Sequence, residues 1–196
     1  MYTVTIFENI LSITNPKIVK LDSVLKAIKE GRYRDKVELI RGAETDEDKR
    51  MLKANLPCVL FSGEFNKPIQ KTNNLGKEYY SYRDDKSITK HSGLVPIDID
   101  DIDNIDEVRE TLIKDPYIFA LWRSASGNGL HGLVKIGDGN KHAQHYRALI
   151  NRIKGLDTTA QNVSRVLYVS YDEDLYLNTS SSVFYDIEAE EERRPS

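Results

Sequence analysis

The sequence predicts one α/β or α+β domain, and three observations support this fold class. The chain has 196 residues, an ordinary size for a single compact domain. Segments with the alternating, β-branched pattern of strands are interspersed with segments whose apolar residues recur at helical spacing. A single cysteine excludes an internal disulfide framework and a cysteine-built metal centre, so the fold must depend on an apolar core.

Predicted strands and helices follow one another along the whole chain. Strands are predicted at residues 2–7, 58–61, 94–100, 117–122, 130–136 and 165–170. Helices are predicted from Leu21 to a stop at Gly31, from an N-cap at Thr45 to Pro57, and over residues 105–114 and 142–154. A hairpin or an ordered loop is predicted between residues 64 and 93, and a charged tail or linker at residues 187–196.

The charge is uneven along the chain. Its formal net charge is −3, but residues 1–97 carry a net charge of +4 and residues 98–196 a net charge of −7. This balance argues against a histone-like binder, whereas a basic half beside an acid cluster suits a phosphate polymer with metal ions. The sequence contains no basic leader and no apolar run long enough to span a membrane, so we expect a cytoplasmic protein.

Two aspartates on a predicted strand are the strongest chemical signal in the sequence. Asp98 and Asp100 alternate with Ile97 and Ile99, so their side chains are predicted to share one face, about 6–7 Å apart. Two such carboxylates repel each other unless a cation lies between them, and oxygen ligands suit Mg²⁺ or Mn²⁺. A solvated strand end that runs into an acidic loop is the alternative interpretation.

A segment of small residues between two predicted strands has the composition of a phosphate-binding loop. Glycine and serine allow the backbone to approach a ligand closely, and their N–H groups can form an anion-binding nest. His131, just inside the following strand, is suited to donate a hydrogen bond to a phosphate. The candidate nucleotide-binding residues of this segment are Arg123, Ser124, Ser126, Gly127 and Gly129. A glycine-rich hairpin without a ligand is the alternative.

Two further candidates follow the last predicted helix. Asp157 comes shortly after Gly155, where an acid is ordinarily a cap or a turn residue. Arg165 begins the next predicted strand, and a guanidinium there could pair with a phosphate through two hydrogen bonds. Each of these two residues is a weak signal by itself.

Together these motifs resemble those of the archaeo-eukaryotic primase superfamily. An acid pair on a strand is followed by a small residue, glycine and histidine, and then by a hydrophobic residue with an aspartate. Residues 56–65 and 91–100 are similar to the approach to the first motif in the N-terminal primase-polymerase domain of virulence-associated E-type proteins. The resemblance covers roughly residues 50–180.

The resemblance implies a fold and an activity. The implied fold is one domain over residues 1–186, with a smaller N-terminal α/β unit (1–93) beside an RRM-like catalytic sheet flanked by helices (94–186). The implied activity is template-directed nucleotidyl transfer, as in DNA primases and polymerases, during replication of a mobile element or phage. The implied partners are nucleoside triphosphates and single-stranded or primed DNA, with a helicase-type ATPase as a fused C-terminal region and no membrane.

The resemblance also implies roles for individual residues. Asp98 and Asp100 match the first motif, which holds Mg²⁺ or Mn²⁺, and His131 matches the second, which contacts the phosphates of the nucleotide. Asp157 matches the third acid and would complete the metal site, with Asp172 as the competing candidate. Arg165 would add positive charge beside the triphosphate.

Two other functions fit the same motifs. A non-catalytic nucleic-acid or nucleotide-binding replication module would keep these residues, and a metal-dependent sugar transferase would use the aspartate pair to hold a nucleotide-sugar diphosphate.

A template-binding surface is expected where aromatic and basic residues alternate. Such residues are Lys77, Tyr79, Tyr80, Tyr82, Arg83 and Lys86. Their alternative role is to pack a hairpin, because aromatic residues favour strands. The histidines at positions 91, 142 and 145 are predicted to be surface or capping residues, and Cys58 and Trp122 to belong to the core.

Overall fold

The chain folds around two four-stranded antiparallel sheets. A computed structural model describes residues 1–188. The part of the predicted tail that follows Glu188 therefore lies outside the described residues. The strands are β1 Thr3–Phe7, β2 Lys17–Lys20, β3 Cys58–Leu60, β4 Gly63–Phe65, β5 Ile69–Thr72, β6 Glu78–Ser81, β7 Ile88–His91, β8 Leu94–Ile99, β9 Ile118–Arg123, β10 Leu130–Lys135, β11 Leu167–Tyr168 and β12 Tyr176–Leu177. The α-helices are α1 Leu21–Lys29, α2 Arg34–Gly42, α3 Asp46–Lys53, α4 Ile105–Leu112 and α5 His142–Arg152. The predicted mixed α/β class is confirmed.

The first sheet has the strand order β11-β3-β1-β2. Its outer strand β11 comes from the C-terminal half of the chain, and Leu167 pairs with Val59 of β3. The N-terminal and C-terminal segments that the sequence divided near residue 93 therefore share a sheet. This pairing brings the residues just before β11 close to the second sheet.

The second sheet has the strand order β12-β9-β10-β8. Because β10 lies between β8 and β9 and is antiparallel to both, β8 and β9 run in the same direction. Helix α4 connects them, so β8, α4, β9 and β10 form a split β-α-β unit.

Both faces of β8 are covered, and this explains why all six of its residues are buried. Val95, Ile97 and Ile99 pack with α4 and α5 in one apolar core. Leu94 packs in the other core, between the second sheet, the first sheet and α1. Since side chains alternate along a strand, Asp98 lies on the Leu94 face, toward the first sheet.

Most predicted elements are present, with some shifted boundaries. Helix α3 begins as predicted, because the Thr45 hydroxyl accepts a hydrogen bond from the Asp48 N–H at 3.1 Å. The segment 64–93 contains the hairpin β5–β6 and strands β4 and β7. The strand predicted at 165–170 is reduced to Leu167–Tyr168, because only these two residues pair with β3.

The prediction is wrong for His142 and His145, whereas His91 is half-buried and its Nδ1 accepts a hydrogen bond from the Gly93 N–H at 2.9 Å. His142 and His145 are both buried: His145 lies against the chain that follows β12, and His142 Nδ1 lies 3.0 Å from His91 Nε2. Burial lowers the pKa of His91 to about 4. Cys58 and Trp122 are fully buried, as predicted. Within residues 1–188, no helix combines the length and apolarity needed to cross a membrane.

Candidate functional site

Strand pairing brings the first aspartate and the histidine together. Asp98 on β8 is the direct cross-strand partner of His131 on β10, so both side chains point to the same face of the sheet. His131 Nε2 lies 3.2 Å from Asp98 Oδ1, within ion-pair distance. The contact lacks hydrogen-bond geometry, and Asp98 Oδ1 has no hydrogen-bond donor among residues 1–188. This buried carboxylate oxygen therefore has an unused capacity to accept a ligand, beside the His131 ring.

The histidine ring is held by packing. The fully buried Trp122 on β9 meets the His131 ring edge to face, with centroids 6.0 Å apart and planes at 88°. Both side chains are buried, so the imidazole has little freedom to turn away from Asp98.

The Asp98 carboxylate stays ionised despite its burial. Burial alone would raise the pKa of Asp98, but the interactions with His131 and then with Arg165 outweigh it and hold this pKa at about 2. The charged form is therefore present throughout the physiological range, as a cation ligand requires.

Asp100 lies just past the end of β8. The next residue, Asp101, has a φ of 50°, and its carboxylate accepts a hydrogen bond from the Asn128 side chain at 2.7 Å. This turn leaves Asp100 exposed at the mouth of the site. Partial burial and the neighbouring Asp98 carboxylate raise the pKa of Asp100. A divalent cation would relieve this repulsion.

The small-residue segment forms a tight loop between β9 and β10. The Ser124 N–H donates to the Gly129 carbonyl and the Gly127 N–H to the Ser124 carbonyl, so two of the N–H groups expected to bind phosphate instead close the loop. The Ser124 and Ser126 hydroxyls lie 3.2 Å apart. A Cβ on Gly129 would lie 2.5 Å from the Ile99 carbonyl oxygen, so the approach of the loop to β8 requires glycine.

Arg41 of α2 holds this loop in place through contacts with Ser124 and Gly127. Its Nη2 donates to the carbonyls of Ser124 and Tyr171, both at 2.9 Å, and its stem packs against Gly127. The guanidinium therefore ties α2, the loop and the segment after β11 together. Sequence reasoning missed Arg41 because it lies in an ordinary amphipathic helix.

Arg165 connects two acids. Its Nη2 donates to Asp98 Oδ2 at 3.1 Å and to Asp157 Oδ2 at 2.7 Å. The Asp157 N–H also donates to the Asp98 carbonyl at 3.0 Å, while Asp157 Oδ1 accepts hydrogen bonds from the N–H and hydroxyl of Thr159. Asp157 therefore lies beside Asp98, but both of its oxygens are engaged.

Asp172, the competing candidate for the third acid, uses both carboxylate oxygens in hydrogen bonds that connect parts of the fold. Asp172 Oδ2 accepts hydrogen bonds from the Arg123 N–H at 2.7 Å and from Arg109 at 2.8 Å, and Oδ1 accepts one from the Asp174 N–H at 3.0 Å. These contacts join α4, β9 and the segment before β12. Asp172 does not line the cavity that contains Asp98.

These side chains surround one cavity between the two sheets, with a volume of about 270 Å³. Its lining residues are Lys53, Asp98, Asp100, Ser124, Ala125, Ser126, His131, Arg165, Val166, Leu167 and Tyr168. Six of the sequence candidates are thus brought together. Asp157 does not line the cavity, and its side chain is connected to it through Arg165. Arg123, Gly127 and Gly129 are not among the lining residues either, and the Arg123 Nε donates to the Gly127 carbonyl.

A larger groove, of about 810 Å³, lies between α2 and α3. It is lined by the apolar side chains of Leu39, Met51 and Leu52 and by acids, without the convergence of unlike charges seen around Asp98. The smaller cavity is therefore the candidate site, because its chemistry and not its size distinguishes it.

A protein-family model, described as the BT4734-like N-terminal domain, matches residues 51–177, well over half of the chain. The chain belongs to this family. The part that matches the BT4734-like N-terminal domain runs from the last turn of α3 through β12 and contains every candidate site residue. Comparisons with curated proteins and with solved structures find no match. Strands β1 and β2, helices α1 and α2, and the supporting Arg41 lie outside the matched region.

Proposed function

We propose that this BT4734-like domain is a metal-dependent nucleotidyltransferase of the primase-polymerase type, which joins nucleoside triphosphates on a nucleic-acid template. The observation that carries the proposal is the single cavity shared by Asp98, Asp100, His131, Ser126 and Arg165. Two carboxylates for a cation, beside a histidine, a hydroxyl and a guanidinium for phosphates, are the groups that this chemistry requires. The split β-α-β unit of the second sheet is compatible with the RRM-like fold of that superfamily.

The two carboxylates at the cavity fit Mg²⁺ or Mn²⁺. Asp98 Oδ1 is buried without a donor, and Asp100 lies two residues further along the same face. Among residues 1–188, no cluster of three or more His, Cys, Asp or Glu side chains is arranged to hold a metal ion. Mg²⁺ does not require such a cluster, because it commonly binds one or two carboxylates together with water and substrate phosphates. When bound, the cation would activate the attacking hydroxyl and neutralise charge on the transferred phosphate.

The other side chains of the cavity would bind and orient the triphosphate. His131 is packed against Trp122 and can donate from its ring, and Ser126 lines the same cavity with its hydroxyl group. Lys53 and Arg165 add two positive charges to the lining of the cavity. Positive groups placed around the triphosphate would hold the reacting groups in line.

The hairpin β5–β6 is the proposed template surface. Tyr79 and Tyr80 are exposed on β6, as stacking on bases requires, and Lys77 and Lys86, before and after this strand in the sequence, are also exposed. The other two members of the predicted set have structural contacts. Tyr82 packs near Phe65, and Arg83 donates to the Ile10 carbonyl.

Incorporation of labelled nucleotide on primed single-stranded DNA with Mg²⁺ or Mn²⁺ tests the proposal. Asp98→Asn should lower the rate at least about 100-fold, because it removes the buried charge that the cation needs. Asp103→Asn changes an exposed acid five residues away and should stay within about twofold of the wild-type rate. An Asp98→Asn protein that incorporates nucleotide at the wild-type rate would contradict the proposal.

A non-catalytic nucleotide-binding module is the second candidate. The observation that favours it is the bridge from Arg165 to Asp98 and Asp157, which engages the third acid. This candidate predicts that the wild-type protein binds nucleoside triphosphate but gives no incorporation with either cation.

A further inference from the structure

Arg165 occupies the position between two acids where a cation would otherwise bind. A single nitrogen, Nη2, donates to Asp98 Oδ2 at 3.1 Å and to Asp157 Oδ2 at 2.7 Å. The same guanidinium lines the cavity that we propose for the triphosphate. Nη2 carries two N–H groups, and the two carboxylates engage both of them. This nitrogen can therefore donate to a phosphate only if it releases a carboxylate.

We infer, on the basis of the proposed nucleotidyl transfer, that Arg165 exchanges its carboxylate partners for the phosphates of an incoming nucleoside polyphosphate. The exchange frees Asp98 Oδ2 and Asp157 Oδ2, which then complete the divalent-cation site that Asp98 forms with Asp100. Cation and nucleotide therefore bind cooperatively, and the empty protein binds the cation weakly. By linkage, each ligand raises the affinity for the other by the same factor.

The contacts of Arg165 are suited to exchange. The side chain is 29% exposed, and it precedes β11 instead of lying in the strand. Its Nε is buried without a hydrogen-bond partner among residues 1–188, so the guanidinium uses only part of its capacity for donation. A phosphate offers an oxygen to each of two guanidinium nitrogens, a better match than the present bridge.

The Asp157 side chain and the backbone at Asp98 are held by contacts that do not involve Arg165. Asp157 Oδ1 is held by the N–H and hydroxyl of Thr159, and the Asp157 N–H is bonded to the Asp98 carbonyl. Asp98 Oδ1, in a side chain that is nine-tenths buried, already lacks a donor in the described part of the chain. Departure of Arg165 thus leaves two ordered carboxylates side by side, and a divalent cation restores their charge balance.

Titration calorimetry with Mn²⁺ alone tests the inference, with wild-type, Arg165→Gln and Lys53→Gln proteins. Arg165→Gln should bind Mn²⁺ on the order of tenfold more tightly than wild type, because the competing charged hydrogen bonds are gone. Lys53→Gln is the matched control. Lys53 lines the same cavity, but its Nζ lies over the Tyr168 ring at 6.0 Å and it forms no ion pair with a carboxylate in residues 1–188. Its loss should change Mn²⁺ affinity less than about threefold.

A second titration includes a non-hydrolysable nucleoside triphosphate. The nucleotide should raise the Mn²⁺ affinity of wild type more than that of Arg165→Gln, by a factor that is again on the order of tenfold. The inference would be overturned if wild type and Arg165→Gln bound Mn²⁺ equally tightly in the absence of nucleotide, or if Lys53→Gln bound Mn²⁺ as tightly as Arg165→Gln. It would also be overturned if none of the three proteins bound Mn²⁺. If the affinities follow the expectation but no nucleotide is incorporated, the inference stands and the proposed transfer reaction fails.

Discussion

The charge of Asp98 should make a measurable, pH-dependent contribution to folding. A pKa of 3.8 that falls to about 2 in the folded protein corresponds to about 2 kcal/mol of free energy of unfolding at neutral pH. Because the folded pKa is the lower one, this stabilisation is present above the ordinary pKa and is lost as pH falls toward 2. At pH 3, about 1 kcal/mol of it should be gone.

Urea unfolding of wild-type and Asp98→Asn proteins at pH 7 and pH 3 measures this contribution. The amide cannot ionise, so the difference in unfolding free energy between the two proteins should narrow by about 1 kcal/mol at the lower pH. Any pH-independent effect of the amide cancels in this comparison. Asp103→Asn, an exposed change, should stay within about 0.5 kcal/mol of wild type at both pH values. A wild-type to Asp98→Asn difference that is the same at pH 7 and pH 3 would refute the reasoning.

Three further predictions concern the support of the site and its template surface. Gly129→Ala should lower the free energy of unfolding by about 2 kcal/mol in urea, because its Cβ would lie 2.5 Å from a backbone oxygen, whereas Gly42→Ala meets no atom within 4 Å and should be neutral or slightly stabilising. Asp172→Ala should lower the free energy of unfolding by about 3 kcal/mol, because three donors lose their acceptor, and should therefore lower the melting temperature. An unchanged melting temperature would argue against a structural role for Asp172. Binding of single-stranded DNA should weaken steeply with salt, and Lys77→Gln and Lys86→Gln should each reduce the log–log slope by about 1; a slope that neither change alters would remove the hairpin from the template surface.

The main strands and helices could be predicted from the sequence because the spacing of apolar residues and the residues that begin or end elements indicated the same boundaries. The interleaving of Ile97 and Ile99 with acids identified β8 and the face that packs on α4 and α5. Thr45 gave the start of α3 through its capping chemistry. Helix α2 and strand β2 were not predicted, since α2 has no side-chain cap and only two buried residues, and β2 is a short edge strand with no buried residue.

The candidate site was predictable where it depended on local spacing and not where it depended on tertiary pairing. Asp98 and His131 carry recognisable patterns, and the sheet pairs them directly. Lys53 and Arg41 reach the site from helices of the first half, and nothing in their local sequence marks them. The contact of Arg165 with Asp98 joins residues 67 positions apart in the sequence, a long-range pairing that a linear pattern does not encode.

The most direct test of the central claim is a crystal structure with Mn²⁺ and a non-hydrolysable nucleoside triphosphate, with data collected at the manganese edge. The proposal predicts an anomalous peak at the Asp98 and Asp100 carboxylates and phosphate oxygens in contact with His131, Ser126 and Arg165. Manganese bound elsewhere, or a triphosphate outside this cavity, would contradict it.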